Sequence, residues 1–319
     1  MRGSNLVRDV VVVGGGPAGL NAALMLGRCR RSVLLLDAGH PRNARSRWVS
    51  GFLTRDGTAP GELRRLAQDE LATYPSVEIM TGEAVEASAR DGVFDVTLAD
   101  GERVSARKLI LATGLMNDVP DFPGSREFFG RGVYPCPYCD GWEHRDEPIV
   151  AFGQREAAHG MALELTVWSR DVTLLTHGCP DVPDEHRRDL DGRGIRVLDA
   201  CIARLEGDPD GDGLERIVLD DGRVIESRAL FYAFDECRQS PLVTQLGCEM
   251  SEKGAVDTRQ CERTNIPGLF VAGDASRRVK FAVVAAAEGA MAAFAANTEL
   301  LREDVRTAHK VRQGAGRGA

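Results

Sequence analysis

Six residues, Gly14-Gly15-Gly16-Pro17-Ala18-Gly19, lie between a β-branched apolar run at Val10 to Val13 and an Ala/Leu-rich segment reaching about Arg28. That order predicts strand, tight turn and helix. A second apolar strand over Ser32 to Leu36 ends on Asp37, eighteen residues after Gly19, and closes a βαβ unit. The glycines have separable tasks. Gly14 permits the tight turn, Gly16 lets the backbone approach a pyrophosphate, and Gly19 lets the helix pack on the strand. The helix N-terminus faces the phosphates and Asp37 accepts from a ribose hydroxyl. A lone G-x-G-x-x-G carries little weight, but between strand and helix, with an acid at this distance, it predicts a dinucleotide site.

The rest of the chain extends this α/β pattern. A β-meander is predicted over Val93 to Leu111, turning at Asp100-Gly101 and ending in Ala112-Thr113-Gly114; Pro120, Pro123 and Gly124 then mark a domain boundary. From Ile149 a second βαβ-like unit can be laid on the first as an internal repeat. Its fingerprint is worn. The segment Ile149 to His159 keeps a single glycine, Gly153, and the next strand, Val172 to Leu175, ends on Thr176 and His177 instead of an acid. Asp-Gly turns at 210–213 and 221–222 mark another meander, Glu236 to Pro241 a return linker, and Gly268 to Asp274 a strand ending on an acid. An Ala-rich helix is predicted from about Phe281 to Asn297.

At 319 residues the chain is long enough for two domains. Forty Lys plus Arg against forty-eight Asp plus Glu give a net charge of -8, which opposes binding to a phosphate backbone, so no nucleic-acid partner is expected. No run of about 20 apolar residues offers a membrane span. The first nine residues are too short and polar for a secretory h-region, and a cytoplasmic location is expected. The locally basic end, Arg302 to Arg317, reads as a solvated, fraying tail.

Eight cysteines are too sparse for a disulfide scaffold. Cys29, Cys179, Cys201, Cys237, Cys248 and Cys261 are scattered and read as buried or inert thiols. Cys136-Pro137-Tyr138-Cys139 is different, because this spacing can close a small disulfide and lower one thiol's pKa. A zinc knuckle would need a second ligand pair, which the chain lacks, so no metal site is expected. A glutaredoxin-type site and two buried thiols on one turn are the other readings.

The surroundings decide among them. GGGPAG, the Ala112-Thr113-Gly114 triplet, CPYCDGWE from Cys136 to Glu143, and Ala272-Gly273-Asp274 occur in that order. Together they resemble the low-molecular-weight thioredoxin reductase family of FAD-dependent disulfide oxidoreductases, over about Val10 to Asn297. The resemblance implies an α/β fold of two Rossmann-like three-layer dinucleotide-binding domains, the second inserted into the first. FAD would occupy a discontinuous domain, residues 1–119 plus 240–319; residues 120–239 would form an NAD(P)-binding-like domain carrying the dithiol. The implied FAD contacts are Gly14, Gly16, Pro17, Ala18 and Gly19 at the pyrophosphate, Asp37 at the ribose and the backbone near Val85 at the adenine. Gly273 and Asp274 would serve the ribityl chain, with Asn43, Ala112, Gly114, Phe281 and Ala282 completing the set. Cys139 would face the flavin, Cys136 would exchange with substrate, and Asp140 would shuttle a proton; Asp140 also reads as a turn residue before Gly141. The substrate would be a small-molecule or protein dithiol or disulfide, and the family implies a homodimer.

Departures from the family concern the second nucleotide. Typical members carry GxGxxA and a basic HRR cluster after the next strand, to hold NADPH. Here Phe152-Gly153-Gln154-Arg155-Glu156-Ala157 stands instead, and His186-Arg187-Arg188 comes about ten residues late, on the following helix. The Arg-Gln that opens the last helix is Lys280-Phe281. These features resemble a sub-branch, the dithiol oxidases of gliotoxin- and holomycin-type natural products, although those usually carry His where this chain has Asp140. The leading expectation is an NAD(P)H-independent enzyme passing electrons from a dithiol through Cys136/Cys139 to FAD and oxygen. An NADPH-dependent reductase, a ferredoxin-linked disulfide reductase and a non-enzymatic flavin redox sensor are the alternatives. Trp142 reads as lining the dithiol pocket or as packing, and His144 and His159 as bases if hydrogen-bond reach allows.

Overall fold

The computed structural model describes residues 6–178, 182–233, 237–252, 254–276 and 279–315; Cys179, Glu236 and Arg317 lie outside the described residues. The chain opens with β1 (Val7–Val13), α1 (Pro17–Arg28), β2 (Val33–Asp37), α2 (Pro60–Leu71), β3 (Val77–Thr81), β4 (Ala84–Arg90), β5 (Val93–Leu98) and β6 (Arg103–Leu111). There follow β7 (Met116–Asn117), β8 (Val133–Tyr134), α3 (Pro137–Asp140), β9 (Ile149–Phe152), α4 (Arg155–Leu165), β10 (Val172–Leu175) and α5 (Asp184–Gly192). Next come β11 (Arg196–Leu198), β12 (Ile202–Asp208), β13 (Gly213–Leu219), β14 (Val224–Glu226), β15 (Ala229–Tyr232) and β16 (Cys237–Arg238). The last elements are α6 (Pro241–Gln245), β17 (Leu269–Val271) and α7 (Ala282–Ala315).

Two compact units result: residues 1–42, 61–116 and 238–319, and residues 43–60 with 117–237. Residues 43–60, which the sequence reading assigns to the first domain, therefore belong to the second unit. Local contacts explain the difference. The Arg45 guanidinium donates to the Glu127 carbonyl at 2.9 Å, and Gly130 packs so tightly on the Arg45 backbone that a Cβ there would stand 2.9 Å from it.

In the first unit the strand order is β3-β2-β1-β6-β5-β4, with β17 also paired to β6. The length of β6 makes this double pairing available: residues 103–106 bond β5, while Leu109 to Leu111 bond β17. Along β1, Val10 and Val12 enter a cluster with α1 and α7, and Val11 and Val13 enter another with Phe94 and Leu242. A strand buried on both faces reads as an unbroken apolar run, which is why Val10 to Val13 shows no alternation. On one face α7 lies close on α1, and a Cβ at Gly289 would sit 1.9 Å from the Ala18 carbonyl oxygen.

The final helix corrects two expectations, since it runs on to Ala315 rather than ending near Asn297, and most of the supposed tail is helical. The tail's two acidic residues, Glu303 and Asp304, find partners far away in sequence. Arg31 pairs with Asp304 at 2.8 Å, Arg107 with Glu303 at 3.0 Å and Asp304 at 2.8 Å, and Lys108 with Glu303 at 2.6 Å.

The second unit holds a parallel sheet of order β11-β10-β9-β15-β8 beside an antiparallel β12-β13-β14 sheet. Its internal likeness to the first unit extends to single bonds. Gly14 N–H donates to Leu36 O at 2.8 Å and Ala112 N–H to Val13 O at 2.8 Å; Gly153 donates to Leu175 O at 3.2 Å and Ala233 to Phe152 O at 2.9 Å.

Candidate active site

The turn after β1 is built as its glycines require. Gly14 has φ +115°, and a Cβ there would meet the Ala112 carbonyl oxygen at 2.2 Å; one at Gly19 would meet the Gly14 carbonyl oxygen at 1.8 Å. Gly16 alone faces open space, with no atom within 4 Å of an added Cβ. It caps α1, whose first helical residues are Pro17 and Ala18. Beside the turn, Thr113 Oγ1 is buried and has no hydrogen-bond partner among the described residues. An open glycine at a helix N-terminus next to an orphaned hydroxyl fits the pyrophosphate of a dinucleotide.

Around this cradle the acids expected to meet a ligand already have partners. Asp37, buried at the end of β2, accepts from Gly39 N–H at 2.8 Å and is ion-paired with Arg64. A Cβ at Gly15 would strike its carboxylate at 2.1 Å, so Gly15 is needed for a reason the fingerprint does not state. Asp274 receives Arg42 Nη1 at 2.6 Å. Under Gly273, buried Glu288 accepts the Gly273 N–H at 2.7 Å. The Val85 carbonyl accepts Gln245 Nε2 at 3.1 Å. Gly114 has φ +63°, and the Phe281 carbonyl accepts from Ala285 N–H at 2.9 Å as α7 starts at Ala282. Asn43 lies in the other compact unit, its carbonyl bonded by Ser46 N–H at 3.0 Å.

In the second unit Cys136 and Cys139 form a disulfide with Cα atoms 5.3 Å apart. Cys136 caps the one-turn α3 and Pro137 opens it, where a missing N–H costs nothing. Gly141 closes the turn by donating to Pro137 O at 2.7 Å, and a Cβ there would come within 2.8 Å of Trp168. Tyr138 is 62% exposed and meets Trp168 edge-on at 5.4 Å. Trp142 neither packs nor is sheltered: it is 64% exposed, with the Arg145 guanidinium 4.2 Å above its ring.

Asp140 ends α3, and burial, with Glu143 beside it, pushes its carboxyl up to about 7. It lines a cavity of about 140 Å³ together with Tyr134, His144, Glu147 and three arginines, Arg47, Arg131 and Arg228. His144 Nε2 lies 3.3 Å from the Tyr134 hydroxyl and Nδ1 lies 3.5 Å from Glu147. Burial holds its pKa below the usual histidine value, against the pull of Glu147. Tyr134 is pushed well above its ordinary value, by burial first and Asp140 second. His159 is placed elsewhere, stacked on His186 at 4.1 Å and bonded to Asp189 at 3.0 Å.

The worn turn after β9 has another character. Only Gly153 and Gln154 separate β9 from α4, where three glycines separate β1 from α1. Beyond it Phe122, Phe152 and His177 cluster, with Phe152 5.0 Å from Phe122 and 5.3 Å from His177. Arg187 of the HRR segment pairs with Asp199 at 2.7 Å, and Asp199 also accepts from Thr176 at 2.9 Å.

Sequence reading missed Arg42, Arg64, Glu288 and the arginines of the cavity. Glu288 had a signal, as a lone acid in an otherwise apolar Ala-rich stretch; the arginines had none, coming from three separate segments.

Comparison with known proteins gives a consistent answer. The family described as pyridine nucleotide-disulphide oxidoreductase matches residues 8–289. Thioredoxin reductase tcpT of Claviceps purpurea is 30% identical over 313 residues, covering 95% of this chain and 97% of its own. The crystal structure of HlmI superposes with a TM-score of 0.90 at 37% identity, covering 98% of each chain. An oxidoreductase from Agrobacterium tumefaciens gives 0.85 at 34% identity, covering 93% of this chain and 99% of that one.

Proposed function

Because the chain belongs to the pyridine nucleotide-disulphide oxidoreductase family, in its thioredoxin reductase-like branch, we propose that it is an FAD-dependent dithiol oxidase that works without NAD(P)H. The contrast between the two turns carries this reading. One turn keeps an open glycine, a helix N-terminus and a buried acid. The other is short, lacks the second glycine, and ends against an aromatic cluster, while Arg187 of the HRR segment is paired with Asp199.

The reaction begins at Cys136. A substrate thiolate attacks Cys136 Sγ, the Cys136–Cys139 bond breaks, and Cys139 leaves as a thiolate. The second substrate thiol then displaces Cys136, so the substrate becomes a disulfide and the enzyme pair a dithiol, with two electrons and two protons transferred. Asp140, with a carboxyl poised near 7, exchanges protons with the cysteine next to it. Bound FAD would supply a two-electron acceptor for the enzyme dithiol, with oxygen as the final acceptor in this reading. FAD would be held by Gly14 to Gly19, Asp37, the Val85 backbone, Ala112, Gly114, Gly273, Asp274 and the start of α7 at Phe281 and Ala282. The working species in this reading is a homodimer.

An anaerobic titration tests the proposal. NADPH, NADH and then a dithiol are added to the flavin-loaded enzyme while the flavin band is followed. Bleaching by the dithiol alone, with recovery and peroxide on admitting air, is expected. Stoichiometric bleaching by NADPH would make the enzyme a reductase.

A further inference from the structure

Apart from Asp140, the groups lining the cavity beside α3 have no task in the exchange described above. It lies wholly within the second unit and is lined by groups from well-separated segments: Arg47 and Trp48, Gly130 to Tyr134, Asp140 to Glu147, and Arg228. Its charges are unevenly matched. Glu147 is engaged by His144, and burial pushes the Asp140 carboxyl up to about 7, so that it is no more than about half ionised at neutral pH. Arg47 donates to the Gly211 carbonyl. Among the described residues the guanidiniums of Arg131 and Arg228 have neither an ion pair nor a hydrogen bond, and both face the buried Tyr134–His144 pair, whose ionisation they influence. Glu143 and Asp212, the other acids of the rim, are exposed. Guanidiniums converging on a polar recess without carboxylate partners present a fork that matches an incoming carboxylate.

We propose that this cavity is the substrate's recognition subsite, taking a carboxylate of the dithiol between Arg131 and Arg228 while its thiols exchange at Cys136. The proposal rests on the dithiol-exchange reading and narrows it to an anionic, small dithiol. Distance along α3 agrees: Cys136 and Asp140 are one helical turn apart, about 6 Å along the axis. A carboxylate held beside Asp140 thus suits a dithiol whose charged end lies a short alkyl chain from its sulfurs. Trp48, half-exposed on the rim, offers that chain an apolar wall.

Dihydrolipoate and dihydrolipoamide test this, being the same dithiol with and without the charge. The oxidised holoenzyme is mixed anaerobically with each, quenched by alkylation, and the opening of the Cys136–Cys139 disulfide is followed by mass spectrometry. That reading needs no turnover of the flavin. The acid should react faster than the amide by roughly tenfold, the size of one charge-assisted contact, with the preference shrinking as salt is added. In the double variant Arg131→Gln/Arg228→Gln the preference should fall to near unity. The single charge reversal Arg228→Glu, at an exposed position, should invert it, and serves if the double variant does not fold. Equal rates for acid and amide in the wild type, or failure of both to open the disulfide, would overturn the proposal. A preference that survives all variants would overturn it too. If the preference appears and collapses as described while NADPH bleaches the flavin, the subsite stands and the oxidase reading falls.

Discussion

Replacing Asp140 by Asn should stabilise the oxidised protein, and by an amount that grows with pH. Burial raises this carboxyl from its ordinary 3.8 to about 7, with Glu143 adding to the effect. An acid whose folded pKa lies above its unfolded one costs nothing at low pH. The cost of charging it in the folded state enters as pH rises through the unfolded value, and is complete above the folded value. At 1.36 kcal/mol per pH unit, the penalty is about 2 kcal/mol at pH 5 and about 4 kcal/mol at pH 8.5. Asn keeps the shape and removes the ionisation. Taking about 2 °C per kcal/mol for a protein of this size, Asp140→Asn should raise the thermal midpoint by roughly 4 °C at pH 5 and 8 °C at pH 8.5. Differential scanning of both oxidised proteins at the two pH values measures this. A gain that is the same at both, or a loss at pH 8.5, would refute the claim that the fold holds this carboxyl protonated to near neutrality. Turnover should move the other way, falling in Asp140→Asn and losing any pH dependence near 7.

Gly16→Ala and Gly19→Ala should separate cofactor binding from packing. The first adds a methyl to open space and should lower FAD retention, read from the ratio of flavin to protein absorbance, with little change in the apoprotein's midpoint; the second drives a Cβ into the Gly14 carbonyl and should cost about 3 kcal/mol, read by denaturation. If Cys136 is the exchanging sulfur, Cys139→Ser incubated with a linear disulfide should form a mixed disulfide at Cys136 with release of one thiol, located by peptide mass, and Cys136→Ser should form none at Cys139. Arg107→Ala should loosen the end of α7 by roughly 1 kcal/mol, seen as faster amide exchange around residues 299–306. Glu303 and Asp304 are held below their ordinary pKa values, Asp304 by its bond to Arg31 first and Glu303 by Lys108 and Arg107 against a larger opposing effect of burial. That support is therefore present above the ordinary carboxylate range, and protection factors at the end of α7, corrected for the slowing of intrinsic exchange in acid, should fall as pH drops below about 4.

What could be read from the sequence follows from what is local. The first turn was legible because its spacing is local, as with Gly19 against the Gly14 carbonyl, even though Gly14 itself packs on the distant Ala112. The wear of the second turn was legible for the same reason, since the comparison needs only chain order and the shared bonds at Gly14 and Gly153. The long α7 was not, because its last turns depend on acids meeting Arg31, Arg107 and Lys108, partners some two hundred residues or more away. Residues 43–60 were misplaced similarly: chain order puts them in the first domain, while contacts with Glu127 and Gly130 bind them to the second.

The cavity beside α3 marks the limit of reading by motif. In the proposed reaction CPYCDGWE supplies the exchanging atoms, and its eight consecutive residues make it visible. Arg47, Arg131 and Arg228 come from a rerouted segment, a turn and the start of a strand, and only folding brings them to one recess. Chemistry common to many relatives can be written in a short contiguous motif, because the reacting atoms must be held in one geometry whatever the substrate. Recognition of a particular substrate has no such constraint and can be assembled from any segments that reach the recess. A chain can therefore declare its reaction in sequence while leaving its substrate to the fold, and the lipoate comparison addresses the part that the sequence leaves open.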